Sequence, residues 1–179
     1  MAGESEQFCT FNVDRYTFGV EVHKVQEVIR FQHMTRVPLA PAIVRGLINL
    51  RGQIVTAIDL RHRIGLPPAP PEMPPMNVIL RTEQGPVSLL VDKIGDVREV
   101  SRDLFERPPD TLRDIASDMI RGVYKLPDRL LIVIDPERAI AAVATRTQAA
   151  SAGHSDSKGP RGNTNSEPSA SDNQGRIAQ

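Results

Sequence analysis

The chain has 179 residues, 40% of them hydrophobic and 25% charged, enough to bury one domain-sized core and too few for two unrelated domains of ordinary length. Lysine plus arginine and aspartate plus glutamate both number 22, so the formal net charge is zero and no overall cationic field exists to gather nucleic-acid phosphates or anionic lipid. The single cysteine, Cys9, excludes an internal disulfide, the start MAGESEQ is neither basic nor apolar, and no apolar run approaches the roughly 20 residues that span a bilayer, so a cytoplasmic protein without direct membrane insertion is expected.

Aromatic residues make up only 4% and tryptophan is absent, so the core has to be built from Val, Ile and Leu, which favours β structure. Residues 8–13 alternate Phe8, Thr10 and Asn12 against Cys9, Phe11 and Val13, and Asp14-Arg15 turns them into the run 16–20, a hairpin. Val22, Val25, Val28 and Ile29 then fall at i, i+3, i+6 and i+7, the spacing of one face of a short helix. Pro38 and Pro41 break that pattern and mark an irregular connection. Gly46 begins a second hairpin, with apolar runs on either side of Arg51-Gly52. The arginine is unexpected, because a tight turn prefers Asn or Asp before its glycine. Asp59 is placed to cap a helical turn through Ile64, closed by Gly65 and the prolines at 67 and 68.

Residues 67–75, PPAPPEMPP, hold six prolines and predict an extended surface loop of polyproline character that divides the domain roughly in half. A spacer role is preferred to that of an SH3-type ligand. Residues 77–81 and 87–91 flank Glu83-Gln84-Gly85 as a third hairpin, and 94–100 add a strand. Ser101 opens a helical turn that Pro108 and Pro109 end. Residues 119–126 and 129–134 flank Pro127-Asp128 as the last hairpin. Asp135-Pro136-Glu137 is a helix start with a capping carboxylate, and Ile140, Val143 and Ala144 supply the apolar stripe. Residues 145–179 shift to Ser, Gly, Asn, Ala and Pro and read as a disordered tail. Each half thus carries short strands and a helical turn, which suggests two similar small β subdomains.

The catalytic inventory is thin. His23, His33, His62 and His154 include no i, i+4 pair and read as surface residues, and Cys9, mid-strand between Phe8 and Phe11, reads as core packing. The chain has no glycine-rich phosphate cradle, no G-x-S-x-G elbow and no Cys-x-x-Cys. Asp92 and Asp96 could serve acid–base chemistry only if burial split their pKa values, and with Gly95 beside them a turn role is preferred. Arg61, His62 and Arg63 read as a solvated helical turn. No catalytic residue, metal site or cofactor is expected.

Four stretches taken together, KVQEVIR (24–30), RGLINLRGQIVTAIDLR (45–61), LLVDKIGDVREV (89–100) and IRGVYKLPDRLLIVID (120–135), resemble the CheW family of bacterial chemotaxis coupling proteins over about residues 7–144, in the family's order. The resemblance implies an all-β fold with short helices, built as two SH3-like five-stranded barrels that share a core. It also implies no enzymatic activity and two partners, the regulatory domain of the histidine kinase CheA and the cytoplasmic tips of methyl-accepting chemoreceptors, the protein being recruited to membrane-associated receptor arrays. The family's NLRG element falls on Asn49, Leu50, Arg51 and Gly52, the glycine before it on Gly46, and the V-x-E of its first helix on Val25 and Glu27. On this reading Val25 and Gly46 shape an apolar contact surface, the glycine letting a partner's backbone come close, while Arg51 and Glu27 supply directional hydrogen bonds or ion pairs at its rim. Residues 31–41 match the family poorly, and the proline-rich loop has no counterpart in its pattern. Alternatives are a coupling protein of a twitching or other non-flagellar pathway, a small enzyme using carboxylates such as Asp59 and Asp92, and a nucleic-acid-binding β barrel.

Overall fold

A computed structural model describes residues 4–112 and 115–141. Strands dominate: β1 (Ser5–Val13), β2 (Tyr16–Glu21), β3 (Val25–Ile29), β4 (Val44–Leu50), β5 (Gln53–Asp59), β6 (Met76–Thr82), β7 (Gly85–Val91), β8 (Lys93–Ser101), β9 (Phe105–Glu106), β10 (Ile120–Lys125) and β11 (Leu130–Ile134). One helical turn, α1 (Leu60–Arg63), and a helix over 136–141, α2, join four short 3-10 turns. The hairpins follow the expected turns, with Val13 paired to Tyr16 across Asp14-Arg15, Leu50 to Gln53 across Arg51-Gly52, and Thr82 to Gly85 across Glu83-Gln84. Asp59 caps α1 by accepting from the His62 N–H at 3.1 Å, and the Asp135 carboxylate accepts from the Glu137 N–H at 2.9 Å to start α2. Of the stripe expected on α2, Ile140 is buried, whereas Val143 and Ala144, like the tail over 145–179, lie outside the described residues.

The strands form two sheets. One, sheet A, runs β8-β1-β2-β11-β10-β9; the other, sheet B, runs β3-β6-β7-β5-β4. The two share a design in which the second strand of one hairpin lies parallel to the second strand of another, β2 beside β11 and β7 beside β5. The proline-rich loop is therefore not the divide. β6 and β7, which follow it, pair with β3 and β5, which precede it, and sheet B is inserted whole between β2 and β8 of sheet A. The dividing points are the short connections at Val22 and Asp92, which sequence periodicity does not distinguish from turns within one sheet.

Two local expectations change. Residues 22–29 are not one helix: Val22–Lys24 is a single 3-10 turn and Val25–Ile29 is β3, paired to β6 with a bulge between Val25 and Glu27. Val and Ile favour a strand, and β6 offers the ladder that an isolated short helix lacks. After Ser101 a 3-10 turn, Arg102–Leu104, occurs as expected, but it gives way before Pro108 to β9, two residues long and paired to Val123 and Tyr124.

Between the sheets is one continuous core, with Phe11, Phe18 and Val20 from sheet A against Val78, Leu80, Leu89 and Val91 from sheet B, closed at the end by Met119, Ile132 and Ile140. Each fully buried side chain of this size contributes roughly 2 kcal/mol. On the far face of sheet B a second cluster draws Ile29, Ile48, Leu50, Val55, Ala57, Ile79 and Leu90 from all five strands, and on sheet A a third joins Phe8, Val100, Tyr124, Leu131 and Val133. Five strands can share so small a cluster only when the sheet is strongly curved. Thr35, beyond β3, accordingly reaches the opposite edge of sheet B and exchanges hydrogen bonds of 2.9 and 2.8 Å with Leu47 of β4. Cys9 is buried in its strand, as expected of core packing, and burial pushes its thiol up.

Candidate functional site

The curvature of sheet B brings β3 and the β4–β5 turn together, and most of the residues singled out from sequence gather there. Arg51 and Gly52 both have positive φ, 52° and 91°, the backbone of a type I′ turn whose twist matches the strands it joins. Arginine tolerates that backbone poorly, and part of the offset is local, since Asn49 Oδ1 accepts from the Gly52 N–H at 2.7 Å. Arg51 Nη2 donates to Glu27 Oε2 at 3.0 Å, with the arginine side chain 81% exposed and the carboxylate 20% exposed. The two residues expected to face a partner therefore first face each other. A pair this exposed contributes at most about 1 kcal/mol to folding.

Gly46 has a different task from the one expected. It follows a bulge in β4, its φ is +154°, and a Cβ there would lie 2.6 Å from the Thr35 carbonyl oxygen. The backbone it admits belongs to this chain. Leu50 turns inward to the sheet B cluster and is buried, so its side chain is withheld from any partner. Val25 is half-buried against the main core, while Asn49 is exposed. Sequence reasoning missed two exposed apolar residues, Ile54 (62%) on β5 beside the turn and Val28 (36%) on β3; the strand period of two would have placed Val28 outward had residues 25–29 been read as a strand.

Sequence reasoning also missed the polar joint between the sheets. Arg61 and Asp92 make a bidentate pair, Nε to Oδ1 and Nη2 to Oδ2, both at 2.8 Å, with side chains only 13% and 10% exposed. Asp92 Oδ2 also accepts from the Asp14 N–H at 2.7 Å, and Arg61 Nη1 donates to the Pro67 carbonyl at 3.0 Å. The joint thus fastens the β1–β2 turn, the end of β7, α1 and the proline-rich loop. Arg63 is covered as well and pairs with Asp118, so the basic cluster at 61–63 is only in part a solvated turn. Burial alone pushes the Asp92 carboxyl up, but the Arg61 guanidinium and the Asp14 N–H outweigh it and hold the group below the usual carboxylate range. That is the reverse of what a general acid needs. Asp59 lines the same cleft, but it caps α1 and faces Arg45, and Asp96 is an exposed residue of β8. Among the described residues no group of three or more His, Cys, Asp or Glu is placed to hold a metal ion, and no helix is long and apolar enough to cross a membrane.

Glu6 forms the matching anchor in sheet A. Its carboxylate accepts from Tyr124 Oη at 2.8 Å and from Arg102 Nε at 2.9 Å; burial raises its pKa, yet these two donors bring it below the ordinary 4.5, while burial and Glu6 push Tyr124 up to about 12. In both carboxyls the folded-state value is depressed, so on acidification the unfolded chain takes up protons first. Stability from these groups is complete above the ordinary carboxyl values of 3.8 and 4.5 and is lost as pH falls through the folded values. For Tyr124 the sign is opposite, with its share lost as pH rises from 10 through about 12. Urea midpoints measured from neutral pH downward should fall below pH ~4.5, and Asp92→Asn should flatten that fall.

A family model described as CheW-like domain matches residues 7–144. The chemotaxis protein CheW of Treponema pallidum (strain Nichols) is 33% identical over 141 residues, covering 75% of this chain and 83% of the relative. The chemotaxis protein CheW of Klebsiella aerogenes is 28% identical over 143 residues, covering 79% and 86%. The crystal structure of the scaffolding protein TtCheW from Thermoanaerobacter tengcongensis superposes with a TM-score of 0.68 at 26% identity, covering 74% of this chain and 90% of that one. A match over nearly the whole described fold, in sequence and in architecture, leads to one conclusion: the chain belongs to the CheW-like domain family.

Proposed function

We propose that this protein is a non-catalytic coupling adaptor of a bacterial chemosensory array, joining the regulatory domain of the histidine kinase CheA to the cytoplasmic tips of methyl-accepting chemoreceptors. In this reading residues 7–144 are the working domain, sheet B with its five strands and sheet A with five longer strands plus the two-residue β9 each curl into an SH3-like barrel, and the protein is cytoplasmic until its partners carry it to the membrane-associated array. The contact face is built around Val25, Glu27, Asn49, Arg51 and Gly52, with buried Gly46 and Leu50 supporting it from within.

One observation carries the reading: a guanidinium is held largely exposed on a backbone that arginine does not favour, oriented by a carboxylate, with exposed Ile54 on the strand that leaves the turn. The geometry adds little to folding, whereas a planar fork beside apolar area suits a protein interface. Asn is the residue such a turn prefers, so Arg51→Asn separates the two roles. The expected result is unfolding free energy within about 0.5 kcal/mol of the parent, with binding to the kinase regulatory domain or to receptor-containing membranes in co-sedimentation weakened about tenfold, or ~1.4 kcal/mol. Unchanged binding to both partners would refute the assignment.

A further inference from the structure

The connection between β3 and β4 holds residues 31–41, which match the family poorly, and it is firmly built. Its start is fixed by Asn77, whose Nδ2 donates to the Arg30 carbonyl at 3.0 Å and whose Oδ1 accepts from the Ser88 hydroxyl at 2.8 Å. Its middle is tied by the Thr35–Leu47 bridge, and its end by a 2.8 Å hydrogen bond from the Val44 N–H to the Pro41 carbonyl. Between the last two anchors, in Pro38-Leu39-Ala40-Pro41, Leu39 has a φ of 62° and a side chain that is fully exposed. Left-handed backbone costs a leucine on the order of 1 kcal/mol, and nothing within the fold is gained from a side chain left wholly in water.

Behind this knob lies a groove of about 850 Å³. Met34, Val37, Val44 and Leu90 provide apolar walls, and the charged or titratable residues lining it are His33, Arg36 and Arg45. None of the described residues that line it is acidic, although the chain as a whole has as many acidic as basic residues. Arg45 spends part of its charge on Asp59 at 3.7 Å; for Arg36 no ion pair is found among the described residues. An apolar knob beside a concave apolar groove with a wholly cationic rim matches one kind of occupant by charge and shape.

We propose that the β3–β4 connection is a docking site for an acidic segment of a partner protein that carries large aliphatic side chains, with Leu39 as the anchor and Arg36 and Arg45 pairing its carboxylates. None of Val25, Glu27, Asn49, Arg51 and Gly52 lines this groove. A nucleic-acid strand fits poorly, since Phe31 is the single Phe, Tyr or Trp lining the groove among the described residues and its ring already packs edge-on against His33. A lipid surface fits poorly too, because it meets a projecting face and not a concave one, and one leucine is a weak anchor.

The test uses the full-length protein and fluorescein-labelled peptides of repeated Glu-Leu-Leu-Glu sequence, with Lys-Leu-Leu-Lys as control, read by anisotropy. Asn tolerates left-handed backbone, so Leu39→Asn keeps the turn while removing the anchor; Arg36→Glu reverses a charge at an exposed position. The acidic peptide should bind more weakly as salt is raised, the basic one at least tenfold more weakly still, and each variant should lower affinity for the acidic peptide at least tenfold while melting like the parent. Equal binding of the two peptides, or parent-like binding by both variants, overturns the proposal. So does sedimentation with phosphatidylserine vesicles that Leu39→Asn abolishes, which would assign the knob to a membrane, or self-association that Leu39→Asn abolishes, which would assign it to a second copy of the chain.

Discussion

Asp92→Ala is expected to lower the free energy of unfolding by about 3 kcal/mol, near the lower end for breaking a buried ion pair, and the melting temperature by roughly 6–12 °C for a domain of this size. Removing the carboxylate breaks three hydrogen bonds at once. Arg61, 13% exposed, keeps its charge and loses two 2.8 Å hydrogen bonds, and the Asp14 N–H loses its acceptor. Most of the cost is a covered cation left with only the more distant Asp14 carboxylate, 3.7 Å away, so removing both charges should cost less than removing one. Arg61→Met with Asp92→Leu should recover a large part of the loss, and a double-mutant cycle in urea measures the coupling. A loss under about 1 kcal/mol for Asp92→Ala would place the pair among ordinary surface ion pairs.

Gly46→Ala is expected to cost about 2–3 kcal/mol, from steric overlap and backbone strain together. The new methyl would stand 2.6 Å from the Thr35 carbonyl oxygen and 3.1 Å from Met34 Cβ, on a backbone at φ +154°. Either the segment at 34–35 moves away or β4 does, and the Thr35–Leu47 bridge opens in both cases. Gly52→Ala is the control, because its φ is also positive, at +91°, but no atom lies within 4 Å of the added carbon. The two variants should differ in urea by the steric part alone, and hydrogen exchange at the Thr35 and Leu47 amides should quicken only in Gly46→Ala. Similar losses in both would trace the cost to backbone strain and leave the close approach irrelevant.

These two sites mark the limit of what sequence discloses. Hairpins were legible because their signals are local: Asp14-Arg15, Glu83-Gln84-Gly85 and Pro127-Asp128 punctuate alternating apolar runs, and the chain must reverse there. The Asp59 cap and the Asp135-Pro136 helix start are local too. Arg61 and Asp92 lie far apart in the chain and meet only because β5 and β7 run parallel, so each alone reads as a solvated or turn residue. Gly46 was visible as a glycine, but its reason is Thr35, brought back across the sheet edge. Glu27 and Arg51 were assigned to one rim, yet their mutual pairing needed β3 to be a strand, and the chance helical spacing of Val22, Val25, Val28 and Ile29 hid that. Partition into two sheets was obscured for the same reason, since parallel pairing leaves no mark on neighbouring residues.

The insertion of one sheet within the other also sets the order in which the protein can be made. Sheet B is contiguous in the chain and its strands are complete once Val91 has left the ribosome, whereas β2, carrying Phe18 and Val20, has no second neighbour until β11 emerges. Until β11 is made the nascent chain therefore offers an unpaired apolar strand edge. Early termination just before Leu130 would leave sheet B whole but split sheet A into β8-β1-β2 and β10-β9 with β2 and β10 unpaired on one side, a species prone to aggregate and a natural client for chaperones.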